Sequence, residues 1–144
     1  MLSTTARYAL RAVLCLAERM EDRGGRIPMH ELAAATGIPE NYLSKVLHIL
    51  AREGILASTR GPSGGFGFGI PPEELRLAQV TEPFQLTGGP TPCVLFDAPC
   101  DMEDPCVAHD RWAGMARDFR DFFENTTVAS VGLPADRSRE EPDT

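Results

Sequence analysis

Three thiols, Cys93, Cys100 and Cys106, fall within fourteen residues and are the side chains in this sequence best suited to chemistry. Their spacing, Cys93-x6-Cys100-x5-Cys106, places them on one Pro-containing loop segment. A chain kept in a reducing compartment does not build a disulfide framework, so clustered thiols point to a metal or a redox role. Three thiolates from one loop suit an iron–sulfur cluster, although they leave one ligand short of the usual four. His109 follows Cys106 by three residues, where the loop enters a helix. One helical turn brings the two side chains to the same side, which makes His109 the candidate fourth ligand; a helix N-terminal cap is its plainer role. Zinc accepts three Cys and one His equally well, but the close CxxC pairs common in structural zinc sites are missing. A thiol/disulfide switch needs no metal. On the residues alone these readings stay open, with the cluster first. The fourth cysteine, Cys15, lies near an apolar helical stripe and reads as a small core residue. His30 and His48 read as surface residues not placed near the thiols.

The elements that must position this loop follow from hydrophobic spacing. Ala9, Val13, Leu16, Ala17 and Met20 recur at helical intervals, so residues 5–21 form a helix, capped by Ser3, Thr4 or Thr5 and ended by Gly24-Gly25. Residues 27–37 contain a short helix stopped at Gly37. Pro39 favours a first helical turn, and residues 39–53 carry Leu43, Val46, Leu47 and Leu50 on one face before Gly54. Two helices joined at a Gly turn make a helix-turn-helix. Strands at 55–60 and 66–70 flank the turn Gly61-Pro62-Ser63-Gly64-Gly65, a hairpin that completes a winged helix-turn-helix. A short helix is expected over 77–86, loop over 87–105 and a long helix from about Val107. That last helix bears Trp112, Met115, Ala116, Phe119, Phe122 and Phe123 at i, i+3, i+4, i+7, i+10, i+11. Such a stripe usually packs a core; on a terminal helix of a chain this small it is better explained by a second copy. The fold expected is mainly α with a small β-hairpin wing, a winged helix-turn-helix domain plus a long C-terminal dimerisation helix.

The second helix of the pair has a polar face suited to a major groove. Asn41 can pair with adenine, Lys45 with guanine or phosphate, and Ser44 with either; His48 shares the face, and Tyr42 is a candidate phosphate contact. The hairpin adds Arg60 beside a tip containing Ser63 and Gly64, where exposed N–H groups and small side chains allow close approach to phosphate or a narrow minor groove. Helix and wing together carry a signal that the helix alone does not.

Taken as a total, composition opposes a polyanionic partner. The 144 residues hold 14 Lys+Arg against 21 Asp+Glu, a formal charge of −7. Residues 1–70, however, carry eight basic and six acidic groups, +2, while residues 71–144 carry six and fifteen, −9. The acidity belongs behind the DNA-facing half. The length excludes a barrel or two-domain dinucleotide enzyme, and no apolar run approaches the ~20 residues of a membrane span. No Ser/His/Asp set, P-loop or two-carboxylate plan is recognisable, so an enzyme is not expected. The start of the chain lacks the plan of a signal peptide, which points to the cytoplasm.

Arg7-Tyr8-Ala9-Leu10, Tyr42-Leu43-Ser44-Lys45-Val46-Leu47, Arg60-Gly61-Pro62-Ser63-Gly64-Gly65-Phe66 and the three downstream cysteines resemble the Rrf-two (Rrf2) family of winged-helix repressors over roughly residues 1–131. That family includes cluster regulators of the IscR type and nitric-oxide sensors of the NsrR type. The resemblance implies a homodimer zipped by the long helix, two winged helices on a palindromic double-stranded operator, and often an iron–sulfur cluster near the dimer interface. IscR-like members carry a His at the offset of His109 and a Trp three residues on, here Trp112. The first cysteine spacing is one residue longer than is typical of cluster-binding members. Some nitric-oxide-sensing relatives use an acidic residue near the partner's N-terminus as a ligand; the matching residue here is Arg7, which cannot ligate. The resemblance therefore implies a His-completed [2Fe-2S] cluster, with a [4Fe-4S] cluster and an exogenous ligand as the alternative. The organisation expected is a DNA-binding domain over 1–76, a sensor loop (87–109) and dimerisation helix within 77–131, and a disordered tail over 132–144. The function expected is a regulator, of repressor type, whose operator affinity follows the cluster on the three-Cys loop; the alternatives are a zinc- or thiol-switch-controlled winged-helix regulator and, after it, a non-DNA iron–sulfur protein.

Overall fold

A computed structural model of the chain describes residues 2–20, 24–85, 93, 95, 101 and 103–131. The element order is α1 (Thr4–Arg19), α2 (Met29–Thr36), α3 (Glu40–Arg52), β1 (Leu56–Thr59), β2 (Gly65–Phe68), α4 (Leu77–Thr81) and α5 (His109–Asn125), with 3-10 turns at Glu82–Phe84 and Val128–Ser130. This is the mainly helical winged architecture that the spacing predicts. Most of the cysteine loop, Cys100 included, and the tail expected over 132–144 lie outside the described residues.

Local chemistry sets the helix ends. Ser3 is the cap of α1, its hydroxyl accepting from the Ala6 N–H at 3.1 Å. Gly37 ends α2, its N–H donating to the Ala33 carbonyl at 2.9 Å. Pro39 stands just before α3 as its cap residue rather than inside it. The expected helix over 77–86 is shorter, α4 giving way at residue 82 to a 3-10 turn with Pro83 in its first positions.

One core joins these elements. Val13 and Leu16 of α1, Leu32 of α2, Leu43, Leu47 and Leu50 of α3, Ile27, Leu75 and Val80 are all fully buried. The wing is a hairpin fastened to the rest of the fold through Ile27. β1 and β2 pair antiparallel with Leu56 opposite Phe68 and Thr59 opposite Gly65. Ile27 then bridges the outer edge of β2, exchanging N–H···O bonds of 3.0 and 2.9 Å with Phe66.

The chain after α5 returns to the winged helix, a feature the sequence reading does not contain. Thr127 pairs with Arg76. Leu77 N–H donates to the Thr126 carbonyl at 3.0 Å and Val128 N–H to the Leu75 carbonyl at 2.7 Å. Val128 is 1 % exposed and belongs to the same core as Leu75 and Val80. The expected boundary at residue 76 is therefore crossed by shared packing. Replacing Val128 by Ala removes two buried methyl groups and leaves a void, so Val128→Ala should cost about 2 kcal/mol of unfolding free energy in urea titrations. A change below about 0.5 kcal/mol, the range of surface substitutions, would show that 126–131 is not part of the folded unit.

Candidate nucleic-acid interface and cysteine site

Burial of Leu43, Val46, Leu47 and Leu50 fixes the rotation of α3 and leaves its opposite face outward. Asn41, Tyr42, Lys45 and His48 are exposed and Ser44 is half-buried, as the polar-face reading expects. Several of these side chains already have local partners. Asn41 Oδ1 accepts from the Tyr42 N–H at 3.0 Å. His48 Nδ1 lies 2.6 Å from the Ser44 carbonyl and 3.4 Å from the Ser44 hydroxyl, with donor and acceptor set by its tautomer. The His48 ring also meets Phe66 of β2 edge-on at 6.0 Å, so one side chain braces the recognition helix against the wing. Tyr42 Oη is 2.6 Å from Thr5 Oγ1 on α1.

At the wing, Arg60 and Ser63 are exposed and Gly64 is half-buried. The turn closes with Gly64 N–H donating to the Gly61 carbonyl at 2.9 Å. A Cβ on Gly64 would collide with the Thr59 carbonyl oxygen, and one on Gly65 would come within 2.6 Å of the Ile27 carbonyl carbon. The Gly-rich tip thus serves two purposes: it opens the surface, and it lets the hairpin lie against its neighbours.

Arg11 belongs to the basic count of the DNA-binding half, yet its guanidinium donates to the Thr36 carbonyl at the end of α2 and lies 5.9 Å from the centre of the Tyr8 ring. A cation there offsets the negative end of the helix dipole. The contacts of Thr5, Tyr8 and Arg11 with α2 and α3 are not legible in the sequence, because they exist only once α1 crosses those helices.

At the cysteine site, Cys106 is exposed and Cys93 half-buried. His109 opens α5, and its N–H donates to the Cys106 carbonyl at 3.0 Å, which places the two residues on one turn as their spacing predicts. Among the described residues, His109 Nδ1 is buried with no hydrogen-bond partner. Leaving a buried ring nitrogen unpaired is costly in a purely structural role, and a neutral imidazole nitrogen has the chemistry of a metal donor. No side chain caps α5, so the cap role for His109 is not the one it takes. Among the described residues no three His, Cys, Asp or Glu side chains are grouped to hold a metal; Cys100, the central thiol of the set, is outside them.

The stripe on α5 divides. Ala116 is buried and Phe123 packs on the core, whereas Met115 is 63 % and Phe122 55 % exposed. Phe119 stacks on Phe123 at 4.6 Å. No described helix is long and apolar enough to cross a membrane.

Comparison with known proteins matches residues 2–132 to the Rrf2 family model, described as an iron-dependent transcriptional regulator. A protein of Aquifex aeolicus named as an HTH-type transcriptional regulator is 32 % identical over 131 residues, 90 % of this chain and 89 % of that one. The regulator IscR of Pectobacterium carotovorum is 28 % identical over 88 % of this chain and 76 % of its own. Among solved structures, CymR, the global cysteine regulator of Bacillus subtilis, superposes with a TM-score of 0.73 at 21 % identity, covering 90 % of this chain and 94 % of that one. At that identity the likeness speaks for the fold.

The thiols should differ in reactivity. Burial pushes the Cys15 thiol above its ordinary 9.0, against the nearby Arg19 charge and its hydrogen bond, which pull it down. In the metal-free folded chain, iodoacetamide at pH 8 should label Cys106 well before Cys15. The unfolded chain releases the Cys15 proton first, so stability should fall as pH rises above 9.0. The part of that slope due to Cys15 should vanish in Cys15→Ala. Equal labelling rates for the two thiols would contradict the burial.

Proposed function

The chain belongs to the Rrf2 family of transcriptional regulators, and from that premise we propose a cytoplasmic, homodimeric repressor whose hold on a palindromic operator is set by an iron–sulfur cluster. The DNA-binding winged helix and the regulatory, non-enzymatic role come with the family. Cluster control is the finer step, and the observation that carries it is the buried, unpartnered Nδ1 of His109 one turn beyond Cys106.

In this reading Cys93, Cys100, Cys106 and His109 are the ligands, most simply of a [2Fe-2S] centre. When bound, the cluster supplies a linkage between the cysteine loop and the start of α5 that oxidation, nitric oxide or iron loss can break. The rest falls to the chain. His109 and Cys106 hold the start of α5, and the pairing of Thr127 with Arg76 holds its far end against the winged helix. The helix is thus attached at one end to the candidate sensor and at the other to the domain that reads DNA. Met115 and Phe122, open on the outer side of α5, supply apolar area for a second copy. On the DNA side Asn41, Ser44 and His48 would face base edges. Lys45, Arg60 and the tip residues Ser63 and Gly64 would meet the backbone, with Tyr42 beside them. The −9 of the second half would then lie away from the duplex.

The test is anaerobic purification followed by absorption and EPR spectroscopy, with Ala variants of Cys93, Cys100, Cys106 and His109. Each cysteine variant should lose the visible absorption of the wild type, and His109→Ala should alter or lose it. On a duplex selected by the wild-type protein, Lys45→Ala and Arg60→Ala should each lower the salt dependence of binding by about one unit of slope. Colourless wild-type protein holding zinc, or variants with unaltered spectra, would overturn the cluster assignment. Binding insensitive to salt would overturn the DNA face.

A further inference from the structure

Tyr42 stands in the first turn of α3, where a hydroxyl is well placed to meet a phosphate. Its hydroxyl has another partner, Thr5 Oγ1 in the first turn of α1, at 2.6 Å. The ring is held as well, edge-on to Tyr8 with centroids 5.3 Å apart and planes at 86°. Only 37 % of Tyr42 is exposed, although it sits on the outward face. Either hydroxyl can donate in this pair; where the phenol gives its one proton to Thr5, none is left for a phosphate oxygen.

The same end of α1 is tied in the other direction. The Ser3 hydroxyl accepts from the Ala6 N–H and donates to the Phe84 carbonyl, each at 3.1 Å. Phe84 ends the 3-10 turn that leads into the cysteine-bearing segment. Two hydrogen bonds, made by Ser3 and Thr5 two residues apart at the start of α1, therefore join residue 84 to the leading turn of α3.

We propose that Tyr42 is a positioning residue: through Thr5 it fixes the leading turn of the recognition helix against the end of α1 that also holds Phe84, and its hydroxyl does not contact DNA. The inference rests on the winged helix binding DNA, and it gives one residue of that interface a role other than the phosphate contact its type and position suggest. It also provides a route by which a shift of residues 82–85 would reach α3.

The experiment uses the full chain and a duplex selected by the wild-type protein from a random-sequence pool. Affinities are measured by fluorescence anisotropy over a series of salt concentrations for Thr5→Val, Tyr42→Phe, the double variant and Thr5→Ser. Each of the first two removes one side of the hydrogen bond at nearly constant volume. Loss of one such bond should weaken binding roughly 3- to 10-fold, with the salt slope unchanged. The double variant should be no weaker than the weaker single one, the signature of a shared interaction. Thr5→Ser, which keeps the hydroxyl, should restore wild-type binding. A slope reduced by about one unit in Tyr42→Phe alone, with Thr5→Val unaffected, would identify a direct phosphate contact and overturn the proposal. Additive losses, wild-type affinity in both single variants, or no rescue by Ser would also overturn it. Failure of the wild-type chain to select any duplex would instead remove the DNA-binding reading on which it rests.

Discussion

Four side chains of α3 point inward, Leu43, Val46, Leu47 and Leu50, and all are buried. Burying each is worth roughly 1.5–3 kcal/mol, so rotating the helix by even one position would cost more than most domains can spare. Its outward face is therefore a consequence of packing. Asn41, Lys45 and His48 are presented because the four apolar residues leave them no other direction. A recognition surface built this way is rigid, as suits contacts that must meet base edges within tenths of an ångström.

The same core reaches the wing and the return segment. Ile27 leads into α2 and also completes the edge of β2, so wing and helix-turn-helix cannot move independently. His48 adds a side-chain brace between α3 and Phe66. Behind them Val128, arriving from the far end of α5, sits with Leu75 and Val80. A displacement of α5 would therefore be felt at the strand-like stretch before α4, without any mobile wire between them. At its other end α5 begins with His109, whose buried Nδ1 has no hydrogen-bond partner among the described residues.

Much of this was legible in the sequence because it depends on local rules. The spacing of Leu43, Val46, Leu47 and Leu50, the stop at Gly37 and the turn at 61–65 each predict an element, and the structure contains all of them. Pro83 ends α4 through a local effect, the backbone N–H it lacks, that the sequence itself displays. The return of 126–131 was not legible. Val128 stands with Ala129 and Val131 in a stretch too short to show a helical or strand period, and its burial depends on partners about fifty residues away. The bond from Thr5 to Tyr42 is similar: neither residue signals the other, and only the crossing of α1 over α3 unites them. At the cysteine site, spacing was enough to put His109 one turn from Cys106, but no periodicity could show that its Nδ1 would be left without a donor or acceptor.

The central claim is that the site around Cys106 and His109 governs the affinity of the α3 and wing face for DNA. The most direct measurement is the affinity of the wild-type protein for its selected duplex, anaerobically at fixed salt, with the cluster present and after its removal. A coupling of ~1–3 kcal/mol predicts a difference of roughly 5- to 150-fold between the two states, and that difference should disappear in Cys106→Ala. Equal affinity in both states of the wild type would contradict the account.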